Sequence, residues 1–180
     1  MVCSGNACRS PIAAAILQQR LADRGVDARV TSAGTMPWSA GATEPAVEVM
    51  REHGLDISGH ENRQLTRELV DQADLVLGMT RDHVSFAVAR SPATAGRTFL
   101  VGELARLGGQ VGPRNASEPL ARWAERAANA RPPKRPLGRA VDEIADPVGE
   151  PIEVYRRTAA ELDDRLTEIA ALLAGVPTLA

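Results

Sequence analysis

The chain has 180 residues, of which 44% are hydrophobic and 24% charged, and its formal net charge is −2. This length suits one domain with a hydrophobic core. A net charge so close to zero gives no general argument for binding nucleic acid or a membrane surface. No stretch is long and apolar enough to span a bilayer, and we expect no signal peptide. Only two cysteines are present, which excludes a disulfide framework and favours a reducing cytoplasm.

The chain opens on a short loop that we expect to bind an anion. Five residues separate Cys3 from Arg9, and Ser10 and Pro11 then form a helix start, because serine caps well and proline suits the first helical position. The apolar residues that follow have helical spacing, which predicts a helix over residues 11–24. The loop N–H groups would converge at this helix N-terminus, where the dipole favours both an anion and a thiolate at Cys3.

A phosphate monoester fits such a loop. The loop amides and Arg9 could bind its oxygens while Cys3 attacks phosphorus, giving a phosphocysteine that water must cleave. Ser10 could donate to the thiolate, Asn6 could hold the loop backbone, and Gly5 could allow unusual dihedral angles. Buried structural cysteines also produce a Cys-x5-Arg spacing by chance, but the Gly-Asn pair and the Arg-Ser-Pro exit favour the phosphate loop. Besides Cys3 and Arg9, the predicted phosphate-binding residues are Ser4, Gly5, Asn6, Ala7, Cys8 and Ser10.

The string Val2-Cys3-Ser4-Gly5-Asn6-Ala7-Cys8-Arg9-Ser10-Pro11 resembles the phosphate-binding loop of the low-molecular-weight protein tyrosine phosphatase family. That family shares its fold with arsenate reductases and bacterial protein arginine phosphatases. The resemblance implies an α/β three-layer sandwich, with a four-stranded parallel sheet of order 2-1-3-4 and helices on both faces. A longer apolar strand precedes the loop in the family. We therefore expect the first strand to be largely missing here, and we hypothesise a start further upstream or a clipped sequence.

Strand and helix patterns alternate along the rest of the chain, which favours an α/β fold with a parallel sheet. Further strands are predicted over residues 27–32, 74–79 and 98–101, and further helices over 45–53, from Thr80 onward, over 103–107, over 120–130 and after Pro151. We expect one domain over residues 1–180, with an insertion at 108–136. The basic, proline-rich end of that segment, residues 131–136, is most simply a solvated linker, and a contact with nucleic acid is the alternative.

Trp38 follows a Ser-Ala-Gly segment at residues 32–34, and both features resemble the family, where an aromatic residue adjoins the active site. Trp38 is therefore predicted to wall the substrate cleft, and a core or surface tryptophan is the alternative. His60 and Arg63 resemble a structural segment of the family. Because no Cys/His cluster has ligand spacing, we expect neither a metal nor any other cofactor.

A candidate general acid lies just before the last predicted helix. Asp146 precedes Pro147, and an Asp-Pro pair in this place resembles the general-acid loop of the family. By that resemblance Asp146 protonates the leaving group and then activates water, and only the implied fold brings it near Cys3. Asp142 and Glu143 are weaker candidates, since neither precedes a proline.

Two positions leave the substrate open. Ala7 stands where the resemblance implies a bulky aliphatic residue for tyrosine phosphatases and a threonine for arginine phosphatases. Val148 and Gly149 stand where tyrosines often sandwich the substrate ring. We expect hydrolysis of phosphotyrosine, with phosphoarginine as the alternative, because pocket shape decides between them.

Two further activities are less favoured. An arsenate reductase of this fold needs two further cysteines to relay a disulfide, and this chain has none outside the loop. Cys8 is either a reversible protective partner for Cys3 or a buried thiol. A non-catalytic phosphate-binding module would usually lack the nucleophile or the acid. The expected partners are a phosphorylated protein substrate and a phosphate or sulfate ion in the loop, without nucleic acid or membrane, for a monomer or weak dimer in the cytoplasm.

Overall fold

The computed structural model describes residues 1–115, 117–132 and 138–175, and it contains a parallel sheet whose strands lie in the order β2-β1-β3-β4. The strands are β1 (Val2–Cys3), β2 (Ala33–Gly34), β3 (Val76–Gly78) and β4 (Thr98–Leu100). In the register of the sheet, Val2 lies opposite both Ala33 and Gly78, and Leu77 lies opposite Phe99. This arrangement confirms the predicted fold class and strand order.

Helices cover both faces of the sheet. They are α1 (Arg9–Ala22), α2 (Glu44–Glu52), α3 (Arg67–Gln72), α4 (Arg81–Arg90), α5 (Val101–Val111), α6 (Leu120–Asn129) and α7 (Ile152–Ala174), with short 3-10 helices at Pro92–Arg97 and Ala140–Asp142. On one side α7 packs against α1, α2 and α5, and α6 packs against α5; on the other side α4 packs against α3, β3 and β4.

Apolar side chains form a separate cluster on each face of the sheet. The larger cluster includes Leu77, Phe99 and Trp123, and the smaller one includes Val2 and Val76. Val76 and Leu77 are neighbours in β3 yet belong to different clusters, because successive strand residues point to opposite faces. A strand that is buried on both faces explains the continuous apolar run that predicted β3.

The strand predicted over residues 27–32 is wrong, because β2 consists of Ala33–Gly34 instead. A strand forms only where a neighbour supplies ladder hydrogen bonds, and β1 offers just two residues for pairing. The ammonium group of Met1 donates to the Thr31 carbonyl at 2.7 Å, so residues 27–30 lie beyond the end of β1. A cleft of about 540 Å³ borders this segment and the residues leading into β3. The predicted shortness of the first strand is confirmed.

The structure differs from the sequence expectations at four other places. Helix α1 begins at Arg9 rather than Pro11, so Ser10 is not its N-cap. Helix α3 was not predicted, since its six residues bury only Val70 and show no periodicity. Helix α5 is longer than the predicted 103–107. Arg131 is not part of a solvated linker: its side chain is 12% exposed, contacts Glu103 at 3.0 Å and stacks on Phe99. Residues 133–136 of the predicted linker lie outside the described residues, and the insertion at 108–136 stays a prediction.

We predict that Gly34→Ala destabilises the protein, because its Cβ would lie 2.6 Å from the Ser4 carbonyl oxygen and 3.0 Å from the Asn6 nitrogen. Both contacts are backbone atoms of the loop after β1, which cannot move aside cheaply. Urea unfolding should show that the free energy of unfolding falls by about 1–3 kcal/mol. Gly59→Ala is the matched control, since its Cβ would meet nothing within 4 Å. An equal effect of the two substitutions would contradict the predicted clash.

Candidate active site

The loop that joins β1 to α1 is held by its carbonyl groups. Three N–H donors from the segment after β2 bind them at 2.8–3.0 Å, in the pairs Thr35 N–Cys3 O, Met36 N–Ser4 O and Thr43 N–Ala7 O. The backbone N–H groups from Ser4 to Cys8 donate to no residue in the described parts of the chain. The neighbouring backbone thus satisfies three acceptors of the loop, and the donors of the loop stay available to a ligand.

Asn6 adopts the left-handed conformation that the loop requires, with φ 55°. The sequence predicts the unusual dihedral angles at Gly5, but Asn6 adopts them, because asparagine tolerates this region better than other residues with a side chain. The fully buried Asn6 amide donates to Ser10 Oγ at 2.9 Å and to Ser32 Oγ at 2.8 Å, and its oxygen accepts from Arg63 N at 3.0 Å. These bonds stabilise the conformation of the loop and agree with its predicted anchoring by Asn6.

A second pair of side chains holds the Asn6 carbonyl group. His60 Nε2 and Asn62 Nδ2 each lie 2.7 Å from this oxygen. The predicted structural character of His60 and Arg63 agrees with these contacts and with the bond from Arg63 Nε to the Ser32 carbonyl at 2.7 Å. The sequence does not point to Asn62. A single asparagine in a loop belongs to no motif that would distinguish a structural residue from a solvent-exposed asparagine.

Cys3, the predicted nucleophile, lies at the bottom of the loop with its Sγ 3.0 Å from Ser10 Oγ. Because Ser10 Oγ accepts from the Asn6 amide, the Ser10 hydrogen is available to donate to the sulfur. Burial raises the pKa of Cys8 to about 12, with the nearby Asp146 carboxylate adding to the shift. Cys8 is therefore a protonated thiol at neutral pH.

Arg9 connects the loop to the segment that carries Asp146. Its side chain is buried; Nη1 donates to the Ile144 carbonyl at 3.1 Å, and Nη2 donates to Asp146 Oδ2. Ile144 N in turn donates to the Met79 carbonyl at 2.8 Å, which attaches this segment to the residues after β3. Arg9 Nε is buried and has no hydrogen-bond partner in the described parts of the chain. An anion at the loop would supply the acceptor that this N–H lacks.

The structure separates the three acidic candidates near the end of the chain. Asp142 is buried and accepts hydrogen bonds from Arg106, which holds it away from the loop. Glu143 accepts from the backbone and side chain of Arg81 at 2.9 and 2.8 Å. Asp146 alone of the three contacts Arg9, and 43% of its side chain is exposed.

The loop opens into a cleft of about 620 Å³ at the carboxyl ends of the strands. Met36 lines it, and Trp38 stands beside the loop, with its ring 3.5 Å from where a Cβ on Gly5 would lie. The two side chains are 59% and 48% exposed, and Val148 is 51% exposed. Trp38 is thus no core residue, and its role as a wall of the substrate cleft stays a prediction. These exposed apolar side chains could contact an aryl group.

His83 also reaches the loop, although no motif in the sequence predicts a role for it. It is 4% exposed and its Nε2 lies 3.1 Å from Ser4 Oγ. The one signal in the sequence was its place in the first turn after β3, at the same sheet edge as the loop. Within residues 1–115, 117–132 and 138–175, no group of three His, Cys, Asp or Glu side chains could hold a metal ion. No helix in these ranges has both the length and the apolarity to cross a membrane.

We predict that Asn6→Ala lowers the free energy of unfolding by about 1–3 kcal/mol, since it leaves buried hydrogen-bond partners unsatisfied. Asn6→Gly removes the same side-chain bonds but permits the positive φ, so it should be less destabilising than Asn6→Ala. Urea denaturation measures both. The exposed Asn129 supplies the control, because Asn129→Ala should stay within about 0.5 kcal/mol of the parent protein. If Asn6→Ala matched that control, the anchoring role would be wrong.

Comparisons with known proteins agree with this geometry. A family model described as low molecular weight phosphotyrosine protein phosphatase matches residues 1–106. The low molecular weight protein-tyrosine-phosphatase Etp of Escherichia coli K12 is 40% identical over 57% of this chain and 68% of its own. A protein-arginine-phosphatase of Geobacillus stearothermophilus is 34% identical over 93% of this chain and 91% of its own. The crystal structure of a low molecular weight protein tyrosine phosphatase from T. tengcongensis aligns with a TM-score of 0.69 at 32% identity, covering 93% of each chain.

Proposed function

The chain belongs to the low molecular weight phosphotyrosine protein phosphatase family, and we propose on that premise that it hydrolyses phosphotyrosine in protein substrates. The observation that carries the proposal is the set of unpaired donors around Cys3. The N–H groups from Ser4 to Cys8 and the buried Arg9 Nε have no acceptor among the described residues. A phosphoryl group has three oxygens that can accept from such donors, and a sulfate ion could occupy the same place.

In the proposed first step the Cys3 thiolate attacks phosphorus and the bond from phosphorus to the tyrosine oxygen breaks. Ser10 stabilises the sulfur through its hydrogen bond, and the loop amides bind the equatorial oxygens as charge redistributes. Asp146, in its acid form, protonates the departing tyrosine oxygen. The products are tyrosine and a phosphocysteine.

In the second step water cleaves the phosphocysteine. Asp146, now a carboxylate, accepts a proton from the water while its oxygen bonds to phosphorus, and the sulfur leaves as a thiolate. The product is inorganic phosphate. The Arg9–Asp146 contact supports this cycle because it places the carboxylate at the mouth of the loop. A phosphoryl group bound to Arg9 would replace Asp146 there and release it toward the leaving oxygen.

The cleft favours an aryl ester as the substrate. Met36 lines the cleft, Trp38 stands beside Gly5, and Val148 follows Asp146 by two positions. All three are exposed, and burying them against a tyrosine ring would stabilise the complex. Ala7 is small and buried, so it does not narrow the pocket, whose width would depend on the three exposed side chains.

Phosphoarginine is the alternative substrate. The arginine phosphatase of Geobacillus stearothermophilus matches this chain over nearly its whole length, whereas the match to Etp covers little more than half. The position after Pro147 also lacks the tyrosines that would enclose an aromatic ring. Pocket shape rather than the phosphate loop distinguishes the two substrates.

We place the whole sequence in one phosphatase domain, with α6 as part of a 108–136 insertion whose Trp123 packs beneath α5 and donates to the Gly112 carbonyl at 2.9 Å. A monomer or weak dimer in a reducing cytoplasm stays a prediction, and the two unpaired cysteines fit that compartment.

We predict that Cys3→Ser abolishes turnover, because the serine hydroxyl is a far weaker nucleophile than a thiolate. Asp146→Asn should lower kcat by about 10²–10⁴-fold for phosphotyrosine, whose poor leaving group needs a proton. The loss should be much smaller for p-nitrophenyl phosphate, whose leaving group does not. Steady-state kinetics on both esters measures the difference. Asp164→Asn, at an exposed carboxylate on α7, is the matched control.

The substrate is tested by hydrolysis of phosphotyrosine and phosphoarginine peptides of one sequence, with phosphate release measured side by side. We expect a higher kcat/KM for phosphotyrosine. A higher kcat/KM for phosphoarginine would show that phosphoarginine, and not phosphotyrosine, is the substrate. Equal rates of wild type and Cys3→Ser on both peptides would refute the phosphatase mechanism itself.

A further inference from the structure

A chain of hydrogen bonds joins the start of α4 to the phosphate loop. His83, in the first turn of α4, has its Nδ1 3.1 Å from Thr80 N and 3.0 Å from Thr80 Oγ1. On the other side of the ring, Nε2 lies 3.1 Å from Ser4 Oγ. The ring is therefore held at both nitrogens, between a helix cap and the residue that follows Cys3.

These contacts define which nitrogen of His83 carries the hydrogen. A backbone N–H can only donate, so Nδ1 must accept from Thr80 and carries no hydrogen itself. The hydrogen of the neutral ring is then on Nε2, which donates to Ser4 Oγ. Burial and the nearby Arg9 guanidinium lower the pKa of His83 to about 4, which keeps the ring neutral at physiological pH.

The Ser4 hydroxyl can still donate its own hydrogen. Its oxygen accepts from His83 Nε2 and, at 3.4 Å, from Arg9 Nη2, which occupies both of its acceptor positions. Its hydrogen has no acceptor in the described parts of the chain, although Ser4 lines the cleft beside Arg9 and Asp146. A donor directed into an anion-binding cleft is suited to a phosphoryl oxygen.

We propose that His83 is a positioning residue of the phosphatase: it orients the Ser4 hydroxyl so that its hydrogen bonds the phosphoryl group in the loop. This inference rests on the proposed function and adds a side-chain donor to the backbone amides. His83 itself does not touch the substrate, and its effect passes through Ser4. The bond would stabilise the negative charge that is spread over the phosphoryl oxygens during transfer.

The test is a double-mutant cycle on p-nitrophenyl phosphate hydrolysis. Ser4→Ala should lower kcat/KM about 10²-fold, the usual loss for one such donor, and Ser4→Thr, which keeps the hydroxyl, should retain most of the activity. His83→Ala should lower kcat/KM in the wild-type background but cause little further loss in the Ser4→Ala background. A purely structural role for His83 would instead give additive losses. His53→Gln, at an exposed histidine, is the control.

His83→Gln keeps a side-chain N–H and should retain more turnover than His83→Ala. Thermal unfolding of every variant identifies loss of fold, and the Ser4 pair keeps the test decisive if both His83 variants unfold. Full activity of Ser4→Ala, or additive losses in the cycle, would overturn the inference.

A binding measurement separates this inference from the proposed function. Binding of inorganic phosphate, followed by tryptophan fluorescence because Trp38 adjoins the loop, should weaken in Ser4→Ala and in His83→Ala. If wild type bound phosphate through Ser4 yet hydrolysed no phosphoester, the proposed function would fail and the positioning role would stand. If turnover depended on Cys3 while both variants bound and turned over like wild type, only the positioning role would fail.

Discussion

The structure depends on one constraint: the carbonyl groups from Cys3 to Ala7 are all bonded, while the N–H groups from Ser4 to Cys8 have no partner among the described residues. The acceptors from Cys3 to Ala7 are bound by the segment after β2 and by two side chains, His60 and Asn62. Asn6 supports this arrangement from inside, with a left-handed backbone and a fully bonded amide. A loop with this network is already in its binding conformation, so a ligand need not order it.

A few hydrogen bonds also fix the position of the acidic residue Asp146. Asp146 is 137 positions from Arg9 along the chain, yet the bonds of Ile144 to Met79 and to Arg9 bring it to the loop. The 3-10 helix Ala140–Asp142 is held separately, through the ion pair of Asp142 with Arg106 on α5. The position of the carboxylate therefore depends on the packing of β3, β4 and α5, and substitutions there should alter the site without touching it.

Sequence patterns predicted elements where the signal was local. The apolar spacing of α1, the apolar run of β3 and the stripe of α7 each reflect burial of the segment itself, and all three elements form. The predicted cap of α1 is wrong, because Ser10 lies inside the helix and its hydroxyl contacts Cys3 instead. The predicted strand at 27–32 failed because strand formation needs a partner, and β1 is two residues long. His83 and Asn62 were missed for a related reason: their partners in the loop lie 79 and 56 residues away along the chain.

By itself the sequence determined the tight loop between Cys3 and Arg9 and the alternation of strands and helices, because each depends on neighbours within a few residues. The tertiary structure decided which of three acidic residues meets Arg9, that Asn6 rather than Gly5 adopts the left-handed backbone, and that Ser4 is held by His83. Those outcomes depend on hydrogen bonds between groups distant in sequence, whose pairing is set only when the sheet and helices pack.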